Sequence, residues 1–257
     1  MSGFGVSLTF DVDGEAGLAC RRGSGWERRL SSRSEARFGI VRGLPRILDV
    51  LRSFGVAATF YVPGVVAERD PEAVREIAAA GHEVAHHGHA HLPSHRLDAA
   101  AQREEIERGL AALEDCLGER PTGYRSPAWE LTPVTLELIG EHGFAHDSSL
   151  MGDDRPYRLS THHGSLVELP VHWSLDDVPF LAFDPDRPAR LGHPAELLAA
   201  WIAEHDAARA EQRHLTYTMH PEVTGRGARL DLLLGLLEHL SAERTPILPH
   251  RALASAL

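Results

Sequence analysis

Short β-forming runs alternate with longer helical segments along almost the whole chain, and that alternation limits the possible folds more than any other feature. "GVSLTFDVD" alternates apolar and polar residues and predicts a strand over residues 5–11. "VRGLPRILDVLRSFG" carries Leu44, Ile47, Leu48 and Leu51 at helical spacing, with Gly55 as a stop. "VAATFYVPG" reads as a buried strand, "DPEAVREIAAAG" as a helix opened by Asp-Pro and closed by Gly81, and "HEVAH" as the next strand. The order then recurs. A long helix through "LDAAAQREEIERGLAALEDCLG" precedes the strand "PTGYRSP", the Thr-capped helix "TPVTLELIGEHG" and the strands "FAHDSSL" and "LVELPVHW". After the helix "HPAELLAAWIAEHDAARAEQ" come the strand "HLTYTMHP", the helix "ARLDLLLGLLEHLSAE", a last strand "TPIL" and a short terminal helix. Residues 15–38 are rich in Gly, Ser and Arg without clear periodicity, and read as a long loop off the first strand. No linker, repeat or composition break interrupts the pattern. One α/β domain over residues 1–257 with a mostly parallel sheet follows, and seven or eight such units suggest a closed or nearly closed barrel.

The totals narrow the partners. A chain of 257 residues, 43% hydrophobic and 25% charged, suits a globular protein with a sizeable core. A formal charge of −11 argues against broad attraction to nucleic acid or anionic membrane, and no apolar run approaches a membrane span. The start, "MSGFGVSLTFDVDGE", lacks the basic and apolar regions of a signal peptide. The expectation is a cytoplasmic protein acting on a small molecule, with homo-oligomerisation left open. Cys20 and Cys116 form no metal-type pair and read as reduced thiols.

In parallel α/β folds the chemistry gathers where strand ends meet the following loops. Asp11 and Asp13 end the first strand, His87, His89 and His91 follow the third, Arg125 follows the fourth, and His220 ends "LTYTMHP". Six of the seventeen histidines lie in "GHEVAHHGHAHLPSH". His87 and His91 are four apart, which on one helical turn puts both rings on the same side. With Asp13 they compose a His₂-carboxylate set of the hydrolytic metal type. Zn²⁺ is the first choice of divalent ion, with Co²⁺, Ni²⁺ or Mn²⁺ as alternatives. His86 is expected to point away from His87, and His89 and His95 to be loop or wall residues. Pro127, Trp129, Trp173 and Asp177, each near a strand end, are candidate substrate-binding residues.

Taken in order, "TFDVDGE", "HHGHAH", "GYRSPAW" and "TMHP" resemble the polysaccharide deacetylase superfamily, also called carbohydrate esterase family 4, over about residues 5–250. The resemblance implies a single-domain distorted (β/α) barrel and divalent-metal hydrolysis of a C–N bond. It puts the metal ligands on Asp13, His87 and His91, the catalytic base on Asp11, the third-motif arginine on Arg125 and the proton-donating histidine on His220. The family's fourth motif has no clean counterpart, so the partner of His220 is left unassigned. Val12 between the two aspartates, the long loop, "SPAWE", "HDSSLMGDD" and "HWSLDD" look more like the intracellular peptidoglycan-deacetylase-like branch, which includes cyclic-imide hydrolases and is similar to cofactor-free allantoinases. The expected activity is therefore metal-dependent hydrolysis of small cyclic imides or related amides. N-deacetylation of N-acetylated sugars or peptidoglycan-type oligosaccharides is the alternative. A non-catalytic metal- or sugar-binding barrel is the second, disfavoured because binding alone needs neither Asp11 nor His220.

Overall fold

The computed structural model describes residues 4–23, 25–183 and 191–257. Strand β1 (Gly5–Asp11) leads into helices α1 (Gly14–Arg22), α2 (Leu30–Phe38) and α3 (Leu44–Phe54), then β2 (Thr59–Val62), α4 (Gly64–Arg69), α5 (Pro71–Ala79) and β3 (Glu83–His86). Next come α6 (Ala99–Leu117), β4 (Gly123–Tyr124), α7 (Pro133–Glu141), β5 (His146–Asp147), β6 (Tyr157–Thr161) and β7 (Gly164–Glu168). The last part holds α8 (Val178–Leu181), α9 (Pro194–Glu211), β8 (His214–Met219), α10 (Pro221–Thr224), α11 (Leu230–Ala242) and α12 (His250–Ser255).

All eight strands join one sheet in the order β6-β7-β5-β4-β3-β2-β1-β8. Neighbours run parallel except the β6–β7 hairpin. The sheet curls into a distorted half-barrel, with β8 and β6 as its two edges. The fold class expected from the alternation holds, as a barrel that is left unclosed. One edge ends in an antiparallel hairpin, and the other carries only a parallel bridge from Thr218 to Asp176.

Every residue of β1 is buried, because helices cover one face of the sheet and the site covers the other. On the helix side Leu8 and Phe10 pack among Ile47, Leu48, Leu51, Leu233 and Leu236, and Phe10 stacks on Phe60 at 4.8 Å. Each such side chain contributes about 1.5–3 kcal/mol by leaving water. The caps follow the sequence: Thr132 Oγ1 accepts from the Thr135 N–H at the start of α7, and Gly55 closes α3 at φ 65.

Two expectations fail for local reasons, and one strand has no counterpart among them. Residues 15–38 are not a loop; α1, a 3₁₀ turn at Trp26–Arg28 and α2 occupy most of them, and residue 24 lies outside the described residues. Leu18, Trp26 and Ala36 form a small apolar cluster there, and Arg33 Nε reaches Glu15 at 3.1 Å. That contact set spans two helices, so neither shows a long periodic stripe alone. "TPIL" makes only a single bridge, Val6 to Ile247. Strand β6 has no clear signal in the sequence because its residues alternate only between half-buried and exposed, with Leu159 packing in part against the cluster of Ile106, Tyr124 and Ile139.

Candidate metal and acid–base site

Alternation along β1 sends Val12 into the core and leaves Asp11 and Asp13 facing a shared cavity. The turn after Asp13 is made at Gly14, φ 54.

The histidines converge by a different route from the one expected. Residues 87–93 form no helical turn; the chain bends at Gly88 (φ 71) and His91 (φ 57). Backbone bonds hold this loop, from Gly64 N to Gly88 O and from Val65 N to His89 O, while Glu105 accepts from the N–H groups of His89 and Ala90. Helix α6 presses on it at Gly109, where an added Cβ would stand 2.3 Å from His86 Nε2 and 2.7 Å from Gly88 O. The loop thus replaces the helix turn in bringing the two rings together, and their centroids lie 4.9 Å apart.

His87 Nδ1 donates to the Arg125 carbonyl at 2.8 Å, since that oxygen can only accept. The neutral ring then turns the Nε2 lone pair toward Asp13 Oδ1, 3.5 Å away. His91 Nε2 lies 3.2 Å from Asp13 Oδ2. Asp13 Oδ1 is buried without a hydrogen-bond partner. Two imidazole nitrogens and a carboxylate, with an orphaned oxygen and a lone pair converging, fit a divalent cation of the zinc type. Burial alone would lift the Asp13 carboxyl, but His91 and His87 outweigh it and hold the group well below the usual range. Burial depresses His87 to about 4, against the pull of Asp11. His91 goes the other way, to about 10, because Asp13 and the Cys20 thiol outweigh its burial.

Behind Asp11 stands Arg125, fully buried. Its Nη1 donates to Asp11 Oδ1 at 2.6 Å and to Thr9 Oγ1 at 3.0 Å, its Nη2 to Ser148 Oγ at 2.9 Å and its Nε to Ser148 O at 3.0 Å. The guanidinium also lies 4.0 Å from the Tyr61 ring centroid. Four bonds spread over all three nitrogens fix the head group, so Asp11 keeps one orientation. A second layer carries Asp147 and Glu168, both buried. Ser149 Oγ donates to Asp147 Oδ1, and the N–H groups of Ser149 and Leu150 donate to Glu168 Oε1. The remaining oxygens, Asp147 Oδ2 and Glu168 Oε2, face each other without another donor. Burial pushes both carboxyls up, Glu168 most, and the pair shares a proton.

Across the cavity His220 Nδ1 meets Asp177 Oδ1 at 2.8 Å. Asp177 is therefore not a cavity wall; it is fully buried behind His220 and is the partner that the sequence left unassigned. Asp176 takes the wall position instead. Burial would lower His220, but Asp176, Asp177 and Asp13 raise it well above an ordinary histidine. Asp176 itself is pushed up to about 7 by burial, with Asp177 adding to the shift.

These groups surround a cavity of about 260 Å³. Trp129 and Trp173 stack at 4.3 Å on one wall, and Trp173 remains 43% exposed. Ala128 and Trp129 both adopt left-handed backbone angles, φ 56 and 57. Pro127 does not reach the cavity; it packs under Gly88 and supports the histidine loop. His86 points away, with Nε2 on Ile106 O at 3.1 Å, His89 faces Glu68, and His95 is exposed. The sequence reading missed Cys20, Arg21 and Arg96, which line the mouth. Cys20 and Arg21 come from α1, so the loop assignment hid them.

A polysaccharide deacetylase family model matches residues 34–146. A solved structure from Mycobacterium smegmatis, provisionally described as a polysaccharide deacetylase, is 38% identical over 99% of this chain and 90% of that one, with a TM-score of 0.94. The peptidoglycan deacetylase of Helicobacter pylori (strain ATCC 700392 / 26695) is 29% identical over 92% of this chain and 89% of its own length. Puue allantoinase shares the fold, with a TM-score of 0.86 at 21% identity over 99% of this chain and 90% of its own. With 38% identity sustained over nearly the full length of both chains, this protein belongs to the polysaccharide deacetylase family of metal-dependent hydrolases, which act on carbon–nitrogen amide bonds.

Proposed function

We propose that the protein removes the acetyl group from an N-acetylated sugar or peptidoglycan-type oligosaccharide. The observation that carries this reading is the opposed pair of proton-handling groups, Asp11 on Arg125 and His220 on Asp177, on either side of the Asp13–His87–His91 ligand set. Asp13, His87 and His91 would hold the divalent ion, which when bound polarises an amide carbonyl and activates water. Asp11, fixed by Arg125, accepts the proton of the attacking water through its free oxygen Oδ2. His220 enters protonated, because Asp176 and Asp177 favour its cation, and gives its Nε2 proton to the departing sugar nitrogen. The Trp129–Trp173 stack offers a flat apolar face of the kind that covers the C–H side of a pyranose ring, and Trp173 is open to solvent on its far side.

The family likeness, including the peptidoglycan deacetylase of Helicobacter pylori, favours this alternative over the cyclic-imide activity expected from the sequence. Cyclic-imide hydrolysis remains the second reading on one observation. Helix α1 brings Cys20 and Arg21 over the mouth and leaves a cavity of about 260 Å³, a size suited to a small ring. Metal identity is proposed as zinc, from the imidazole-rich ligand set. No helix among the described residues is long and apolar enough to cross a membrane. The deciding experiment measures acetate release from N-acetylglucosamine oligomers and peptidoglycan fragments beside ring opening of succinimide and hydantoin, each with and without a chelator. Chelator-sensitive acetate release supports the proposal; ring opening with no acetate release overturns it.

A further inference from the structure

Helices α9 and α11 lie side by side and cover the outer edge strand β8, with Trp201 from α9 and Leu233 and Leu236 from α11 in the common core. At their far side three polar groups converge that take no part in the cavity. His205 Nδ1 lies 3.2 Å from Asp206 Oδ1 and 3.1 Å from His239 Nε2, and His239 Nε2 lies 3.8 Å from Asp206 Oδ1. We infer that His205, Asp206 and His239 form a second divalent-metal site, of the zinc class, that clips α9 to α11.

The distances carry the argument. Ligand atoms about 2.0–2.1 Å from a tetrahedral ion stand about 3.3–3.4 Å from one another. The three separations, 3.1, 3.2 and 3.8 Å, bracket that value. His205 is fully buried, and its other nitrogen, Nε2, meets Thr245 Oγ1 at 2.8 Å. With Nε2–H donating to that hydroxyl, the Nδ1 lone pair points into the cluster. This is the arrangement in which an outer hydrogen bond sets a metal-binding tautomer. Phe4 packs edge-on to the His205 ring at 5.1 Å and fixes its plane. Asp206 is 64% exposed, so a solvent molecule can complete the coordination. Arg209, one turn along α9 from His205, is engaged in an ion pair with Glu243. Two imidazoles with one carboxylate select zinc, cobalt, nickel or copper over calcium or magnesium.

The test uses the full chain loaded with zinc, desalted and analysed for bound metal. Wild type should retain about two zinc ions per chain, His239→Ala about one and His87→Ala about one. The His239→Ala enzyme should keep its hydrolase activity. In the His87→Ala background, added zinc should raise the thermal midpoint by about 5 °C, and the further change His239→Ala should abolish that rise. A wild type with a single ion that depends only on His87 would mean that the trio is a hydrogen-bonded cluster and would overturn the inference. A single ion that depends on His239 and not on His87 would sustain this site and overturn the ligand set of the cavity instead.

Discussion

Asp177 holds His220 at two points: Oδ1 meets the ring Nδ1 at 2.8 Å, and Oδ2 accepts the backbone N–H at 3.0 Å. Thr224 Oγ1 adds a third bond, to Oδ2 at 2.6 Å. One carboxylate therefore sets the ring's position, its tautomer and its charge. Asp177→Asn keeps the backbone anchor and removes the charge. The expected result is a loss of about 10²-fold or more in kcat, with metal content unchanged and the alkaline limb of the pH–rate profile moved to lower pH. An unmoved alkaline limb would mean that Asp177 only braces the strand end.

Asp11→Asn preserves shape and removes the base. It should retain its metal and lose about 10²–10⁴-fold in kcat. Arg125→Lys should also impair turnover, because an ammonium cannot occupy four acceptors in the plane of the guanidinium. Steady-state kinetics beside elemental analysis checks both.

Loss of Asp13 or His87 should remove the cavity's ion and its turnover while the fold survives, as judged by circular dichroism. His86→Ala should do the reverse. Its ring bonds Ile106 O and Gly88 N, so its loss leaves buried partners unsatisfied and costs about 1–3 kcal/mol. Thermal unfolding of the two variants separates the outcomes.

The Asp147–Glu168 pair predicts a pH effect on stability. Burial raises both groups above their unfolded values, and the charge of Asp147 raises Glu168 further, so the folded chain holds more protons than the unfolded one above about pH 4. Stability from this source is present at acid pH and is lost as pH rises. In Glu168→Gln the amide N–H replaces the shared proton. Its thermal midpoint should fall less than that of wild type between about pH 5 and about pH 8. Parallel curves for the two proteins would contradict the shared proton.

Trp173→Ala should raise KM by several-fold with little change in kcat, because the exposed indole stacks on Trp129 at the cavity wall. A fall in kcat alone would assign the ring to alignment of the reacting amide.

The sequence disclosed the residues whose chemistry is local. Strand alternation puts Asp11 and Asp13 on one side, and the strand ends carry His87, His91 and His220 to one cavity, with Arg125 buried behind Asp11. What it concealed depends on contacts across the fold. Asp177 looks like any acidic residue after a tryptophan until β8 brings His220 beside it. The Leu18–Trp26–Ala36 cluster shows only once α1 and α2 are folded together. The spacing of His87 and His91 signals convergence but not the backbone that achieves it, since a loop bent at Gly88 and His91 can match the reach of a helix turn.

The half-barrel's open seam has a consequence for how such a protein can diversify. At the β8 edge the neighbouring segment is joined by a bridge at Asp176 and Thr218 rather than by a full ladder. That segment also carries Trp173, Asp176 and Asp177. A strand in that place would bind the wall of the site to the register of the sheet. With a loop there instead, the stretch that lines the cavity can lengthen, shorten or change residues without disturbing the pairing of the parallel strands that carry Asp11, Asp13 and the histidine loop. The unclosed side of the sheet is thus the part of this architecture most open to new specificities.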